Sequence, residues 1–235
     1  MSRKFRRCSW PAIYLFTVAG LMTAVLWGSR AVTVMAENLP IERKHCYVID
    51  PGHGGVDGGA TSCTGKLESE INLEIALRLN DLMHFLGCET KMIRTADVSV
   101  YTKGETIAQK KVSDLKERVR LINETKGGIL LSIHQNHFGD SRYSGAQVFY
   151  ASTEGSEALA KQLQRNLVST LNPLSNRQEK KSKSVYLMEH ITCPGVLIEC
   201  GFLSNPEEEA KLTSPDYQKE MCCVIAATVV ANANT

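Results

Sequence analysis

Three short apolar runs in this chain each lead into residues that can do chemistry, and this pattern constrains the fold more than any other feature. Cys46-Tyr47-Val48-Ile49 leads into Asp50-Pro51-Gly52-His53-Gly54-Gly55. Ile129-Leu130-Leu131 leads into Ser132-Ile133-His134. Val196-Leu197-Ile198, preceded by Pro194-Gly195, closes on Glu199-Cys200. Apolar runs this short, bounded by glycine and proline, read as buried strands. The full set of expected strands lies near residues 45–50, 88–94, 128–133, 145–151 and 195–199. Helical patterns fall between them, near 70–86, 106–124, 155–171 and 215–231. The third shows three-to-four spacing in Ala158, Leu159, Gln162, Leu163, Asn166 and Leu167. Residues 172–184 are polar and broken by Pro173, so they read as a loop. Alternating strands and helices predict a single α/β domain, a twisted, mostly parallel sheet flanked by helices on both faces. Ligands bind such sheets at the carboxyl ends of the strands, where His53, His134 and Glu199 fall.

The glycines around His53 are not spaced as in a nucleotide loop, so the loop points to a metal rather than a phosphate. Glu68 adds a carboxylate just before the helical pattern that opens near Glu70. A catalytic zinc site uses three protein ligands from histidine and carboxylate and keeps one position open. Two histidines and one glutamate satisfy that count, and one more carboxylate is left over for proton transfer.

Four blocks now carry a resemblance. They are Asp50 to Gly55, Glu68-Ser69-Glu70-Ile71-Asn72-Leu73, Ser132-Ile133-His134-Gln135-Asn136, and Ile198-Glu199-Cys200-Gly201-Phe202-Leu203-Ser204-Asn205. In this order they resemble the zinc-dependent N-acetylmuramoyl-L-alanine amidases, the amidase 3 family, from about residue 46 to the C-terminus. Lys110 to Arg118 and Gly145 to Tyr150 are similar to the CwlD-type branch, the spore-cortex (germination-specific) amidases. The resemblance implies that His53, Glu68 and His134 bind Zn2+ and that Glu199 is the catalytic carboxylate. It also implies cleavage of the lactyl-L-alanine amide of peptidoglycan, spore-cortex modification with muramic-δ-lactam formation, and an activating partner protein. The residues agree on Glu199: at the end of a strand of buried character, desolvation raises a carboxylate toward a useful general-base pKa. Two rival readings are a zinc peptidase or deacetylase acting on the cell wall, and a non-enzymatic wall-binding module. A structural zinc site has no use for a spare carboxylate, which weighs against the module.

Other polar residues take lesser roles. Asn136 and Gln135 are candidates to hydrogen-bond the substrate peptide or a metal-bound water, against the alternative of a loop-capping Asn. Arg94 is a candidate to meet a substrate carboxylate, against the alternative of an internal pair with Asp97 or Asp57. Glu70 reads as a helix-start charge. His137 departs from the family's usual small residue and is a candidate to line the cleft or compete for metal. His45, His84 and His190 have no motif around them.

Arg3, Lys4, Arg6 and Arg7 precede a stretch from Cys8 to Ser29 that holds no charged residue. Residues 1–30 read as a signal peptide or a membrane anchor, and 31–44 as a tether; in either case residues 45–235, the catalytic domain, are exported across the cytoplasmic membrane. The destination is secreted or membrane-anchored, at the cell wall or in the spore intermembrane space. The chain carries 27 Lys and Arg against 25 Asp and Glu, a net charge of +2. Much of that excess lies in the leader, so no nucleic-acid footprint remains. The Lys180-Lys181-Ser182-Lys183 run reads as a solvated loop. Seven cysteines follow Cys8, none in a Cys-x-x-Cys pair, which suggests mostly buried free thiols.

Overall fold

The computed structural model describes residues 45–233. The segments read as leader (1–30) and tether (31–44) lie outside the described residues. Among the described residues no helix is long and apolar enough to cross a membrane.

The apolar runs form strands. These are β1 (Cys46–Pro51), β2 (Glu89–Met92), β3 (Gly128–Asn136), β4 (Gln147–Tyr150), β5 (Lys180–Lys181) and β6 (Gly195–Phe202). They make one sheet in the order β2-β1-β3-β6-β4-β5. β2, β1, β3 and β6 are parallel, and β4 turns antiparallel to β6. The mostly parallel sheet is thus a mixed one whose far edge reverses. Alternation along the central strands buries both faces, as parallel sheets require. Tyr47, Ile49, Leu131, Ile133, Val196 and Ile198 point into one core cluster, and Val48, Leu130 and Leu197 into the other.

Helices cover both faces. α1 (Glu68–Phe85) buries Ile71, Ile75, Leu79 and Met83, one residue per turn at a spacing of four. α3 (Ser156–Leu171) repeats this with Leu159, Leu163 and Leu167. With α6 (Pro215–Ala233) they fill the larger core. Each of these wholly buried leucines and isoleucines contributes about 1.5–3 kcal/mol. On the other face α2 (Ile107–Asn123) supplies Ile122. A Thr106–Gln109 capping box sets its start, satisfying two orphan amides at once. The short helix α4 (Tyr186–His190) adds Leu187 and Met188 beside it.

Three elements depart from the sequence reading. β5 lies inside the segment expected to be loop, as an exposed edge pair against β4. α4 and α5 (Pro206–Leu212) were not expected. All seven described cysteines are free; Cys46, Cys200 and Cys222 are buried, Cys88 and Cys193 half-buried, and Cys63 and Cys223 exposed.

Candidate metal and active site

β1, β3 and β6 end side by side, and their register lays out the site. Asp50 is opposite Ser132, and His134 is opposite Glu199. The chain leaves β1 through Pro51-Gly52 and curls at His53, whose φ of 60° is left-handed. That conformation is uncommon for a residue with a side chain. Mutual backbone bonds between Gly54 and Asp57 (2.8 and 3.2 Å) close the curl. The His53 ring is thereby turned back over the strand ends.

Glu68, the first residue of α1, stands at the centre. Its Oε2 lies 3.3 Å from His53 Nε2, and its Oε1 lies 3.0 Å from His134 Nδ1. Glu68 is 4% exposed, and backbone N–H groups hold its oxygens in place. Ala60 N donates to Oε2 (3.0 Å), and Gln135 N to Oε1 (3.1 Å). Asn72, one turn along α1, donates to Oε1 (3.3 Å) and to Gly52 O (3.2 Å). The two rings meet edge-on, with centroids 5.0 Å apart. Two glycines leave room for this. A Cβ at Gly52 would overlap the His134 imidazole, and one at Gly59 would stand 2.6 Å from Glu68 Oε2.

The ligand atoms of His53, Glu68 and His134 all lie within 4.8 Å of one another. Two imidazoles and a carboxylate brought this close suit a transition metal. Asp57 completes the surroundings of His53. Its Oδ2 is 3.1 Å from His53 Nδ1, close but off the line of a full hydrogen bond, and 3.0 Å from Lys111 Nζ on α2. Burial opposes charging His53, but Asp57 and Glu68 outweigh it and raise the ring to about 9. Burial likewise raises the Glu68 carboxyl, while His134 and His53 pull it far below the usual range. A metal entering here must therefore displace a proton.

Glu199 is different. Part of its side chain reaches solvent, but Oε2 is sealed off and has no hydrogen-bond partner. Burial pushes its pKa up to about 7; Glu68 adds to the rise, and His134 and His53 oppose it. An orphaned buried carboxylate oxygen next to a cluster of metal ligands is poised to take and return a proton.

Beneath the site lies a second set of groups that the sequence did not reveal. Asp50 is wholly buried, pairs with Arg118 of α2 and accepts from Ser132 Oγ (2.7 Å). Arg118 also donates to Pro51 O (3.0 Å), His53 O (2.6 Å) and Asp114 Oδ2 (2.6 Å). It fastens the backbone that carries His53.

Two expectations need correction. Arg94 does not reach a substrate: it is 3% exposed and donates to the carbonyls of Pro51, Gly52, Ser69 and Ala96. It pairs with neither Asp97 nor Asp57. Asp97 accepts from Gly55 N instead (2.9 Å), and Asp57 faces His53 and Lys111. Gln135 is 3% exposed and braces Asn72 (3.2 Å) rather than facing the cleft. Of the two roles open to His137, competing for metal is not met, since it is exposed and outside the ligand cluster, but it does line a cavity. Asn136 is half-buried at the end of β3, two residues past His134.

The chain matches the N-acetylmuramoyl-L-alanine amidase family (Amidase_3) over residues 48–231. A germination-specific N-acetylmuramoyl-L-alanine amidase of Bacillus subtilis is 40% identical over 195 residues, covering 80% of this chain and 79% of that protein. The structure of the CwlD amidase from Clostridioides difficile, in complex with the GerS lipoprotein, superposes with a TM-score of 0.77 at 34% identity. That match covers 81% of this chain and 98% of the other. An N-acetylmuramoyl-L-alanine amidase from Clostridium difficile 630 gives 0.72 at 28% identity, over 82% and 98% of the two chains. With His53, Glu68, His134 and Glu199 all inside the matched span, this chain belongs to the N-acetylmuramoyl-L-alanine amidase family.

Proposed function

We propose that this amidase is zinc-dependent and opens the amide between the lactyl group of muramic acid and L-alanine in spore-cortex peptidoglycan. The observation that carries the reading is the pairing of a three-ligand cluster with the unpartnered Oε2 of Glu199 one strand away. His53, Glu68 and His134 would hold the zinc, which when bound supplies a Lewis acid for the scissile carbonyl and renders water reactive near neutral pH. Glu199 takes the proton of the attacking water and delivers it to the departing amine of L-alanine. A carboxylate near pH 7 serves as base and then as acid. Asn136 is assigned to the substrate peptide, at the rim of the cleft. The cortex assignment rests on the likeness to the germination-specific amidase of Bacillus subtilis.

The likeness to an amidase solved with a lipoprotein supports an activating partner for this chain as well. The basic and apolar pattern of residues 1–30 supports export, with membrane attachment if the segment is retained. Muropeptides digested with the zinc-loaded protein and analysed by mass spectrometry test the reaction. The expected products are peptides with a free L-alanine amine and glycans with a free lactyl carboxyl. Cleavage inside the peptide, or loss of acetyl groups, would replace this reading with a peptidase or a deacetylase.

A further inference from the structure

The bond this enzyme is read to cut has two unlike halves. The acyl half carries a sugar ring, and the amine half carries a peptide. A cavity of about 310 Å³ opens among loops that run on from the metal-ligand segments, lined among others by Thr61, Ser62, His137, Phe138, Ser141 and Ser204. Each wall continues a segment that already builds the site. Thr61 follows Ala60, whose N–H holds Glu68 Oε2. His137 and Phe138 lie just beyond His134 on the chain, and Ser204 lies five residues past Glu199.

The chemistry of the lining is one-sided. The hydroxyls of Thr61, Ser141 and Ser204 and the imidazole of His137 share it with the Phe138 ring, and no Lys, Arg, Asp or Glu takes part; the Ser62 hydroxyl is buried and spent on Glu209 (3.0 Å) and Lys66 N (2.9 Å). A stem peptide rich in carboxylates finds no Lys or Arg there to pair with. A pyranose finds partners: its C–H face lies on an aromatic ring, and its hydroxyls and acetamido group exchange hydrogen bonds with side-chain hydroxyls. Phe138 is 52% exposed, and its backbone and ring are both held. Its backbone N–H donates to Ser204 Oγ (3.1 Å). Tyr143 packs edge-on against it (4.8 Å, 70°), and Phe202 backs Tyr143 at 6.1 Å. Arg177 caps Phe202 at 4.8 Å, and Asn205 donates to Tyr143 O (3.3 Å). A rigid exposed ring over a polar hollow is how binding sites keep the ordering cost low.

We infer that this cavity is a sugar subsite, with Phe138 as its stacking platform, that seats an N-acetylhexosamine on the acyl side of the scissile amide. The inference rests on the amidase reading for its substrate and is tested apart from it. The probe is the peptide-free disaccharide N-acetylglucosaminyl-N-acetylmuramic acid, titrated into the full zinc-loaded chain and followed by calorimetry or ligand-observed NMR. The wild type is expected to bind it. Phe138→Ala weakens binding by about fivefold or more, the worth of one aromatic contact, and Phe138→Tyr retains it. Thr61→Val, isosteric at an exposed position, weakens it by about twofold, the low end for one hydrogen bond. A wild type that cleaves muropeptides but does not bind the disaccharide overturns the subsite alone. So does binding that neither Phe138→Ala nor Thr61→Val reduces. A wild type that binds the disaccharide but cuts muropeptides inside the peptide, or removes acetyl groups, leaves the subsite standing and overturns the amidase reading.

Discussion

Asp50 and Glu199 flank the same strand, β3, at the same end of the sheet, and their fates are opposite. Asp50 is wholly buried and saturated. Burial would raise its pKa, but Arg118 and Ser132 overcome that and hold it below the usual carboxylate range. Glu199 keeps one oxygen buried without a donor, and its pKa rises to about 7. One carboxylate is a fastener and the other a reagent. What separates them is the supply of donors: α2 reaches Asp50 with a guanidinium, and nothing comparable reaches Glu199 Oε2. A protein that left both unsatisfied would be hard to fold, and one that satisfied both would have no base.

This contrast can be broken in several ways. The largest expected effect is on turnover. Glu199→Gln keeps the size and removes the base, so amidase activity falls by about 10²- to 10⁴-fold, while fold and zinc content are retained. Loss of zinc in that variant would make Glu199 a ligand and return the proton-transfer role to another carboxylate.

Next comes the fastener. Arg118→Leu strands Asp50 and frees the carbonyls of Pro51 and His53. Breaking a buried pair by removing one partner costs about 3–5 kcal/mol, read as a lower urea midpoint at constant slope. A cost within 1 kcal/mol of zero would show that the pair does not hold the His53 loop.

The same assay applied to Glu199→Gln should move the other way. A carboxylate whose pKa is raised in the fold binds a proton there that the unfolded chain releases, so stability falls as pH rises from about 4.5 to about 7. Above that window the wild type carries the full penalty, and the variant carries none. Metal-free Glu199→Gln is therefore expected to exceed metal-free wild type by about 1–3 kcal/mol at pH 8 and to match it near pH 4.5. An equal gap at both pH values would detach the penalty from ionisation. Asp50 obeys the reverse sign: its lowered pKa contributes stability that is lost only as pH falls.

The smallest effect concerns the metal's surroundings. Asp57→Asn weakens the hold on His53 Nδ1 without touching a ligand, and zinc affinity is expected to fall by about tenfold, the lower end for such outer partners. Chelator competition measures it. Glu68→Ala, which removes a ligand outright, should fall at least as far in the same assay, and the reverse order would mean the ligand set is misassigned.

His53, His134 and Glu199 were legible in the sequence because each closes or follows an unmistakable apolar run, and strand ends are where parallel sheets collect chemistry. Glu68 was legible as a helix-start carboxylate, and the helix begins on that residue. The supporting groups were not. Arg118 and Asp57 act because the Gly54–Asp57 curl brings α2 over the loop, and no periodicity encodes that meeting. Arg94 and Gln135 look outward on paper but are 3% exposed, their polar groups spent on carbonyls and on Asn72. Among the missed elements, α5 did carry a signal. Asn205 caps it by accepting from Glu207 N and Glu208 N, and Pro206 follows at the first turn, the usual opening of a helix. α4, at five residues, and β5, at two lysines, are too short for any period to show.

Two carboxylates at one sheet end are tuned apart, and a pH titration of side-chain carboxyl carbons by NMR in the metal-free protein tests that directly. The expected result is a Glu199 resonance with its midpoint near pH 7 and an Asp50 resonance that stays ionised well below the ordinary carboxylate range. A Glu199 midpoint near the 4.5 of a free glutamate, or an Asp50 that titrates beside it, would contradict the division of the site into fastener and reagent.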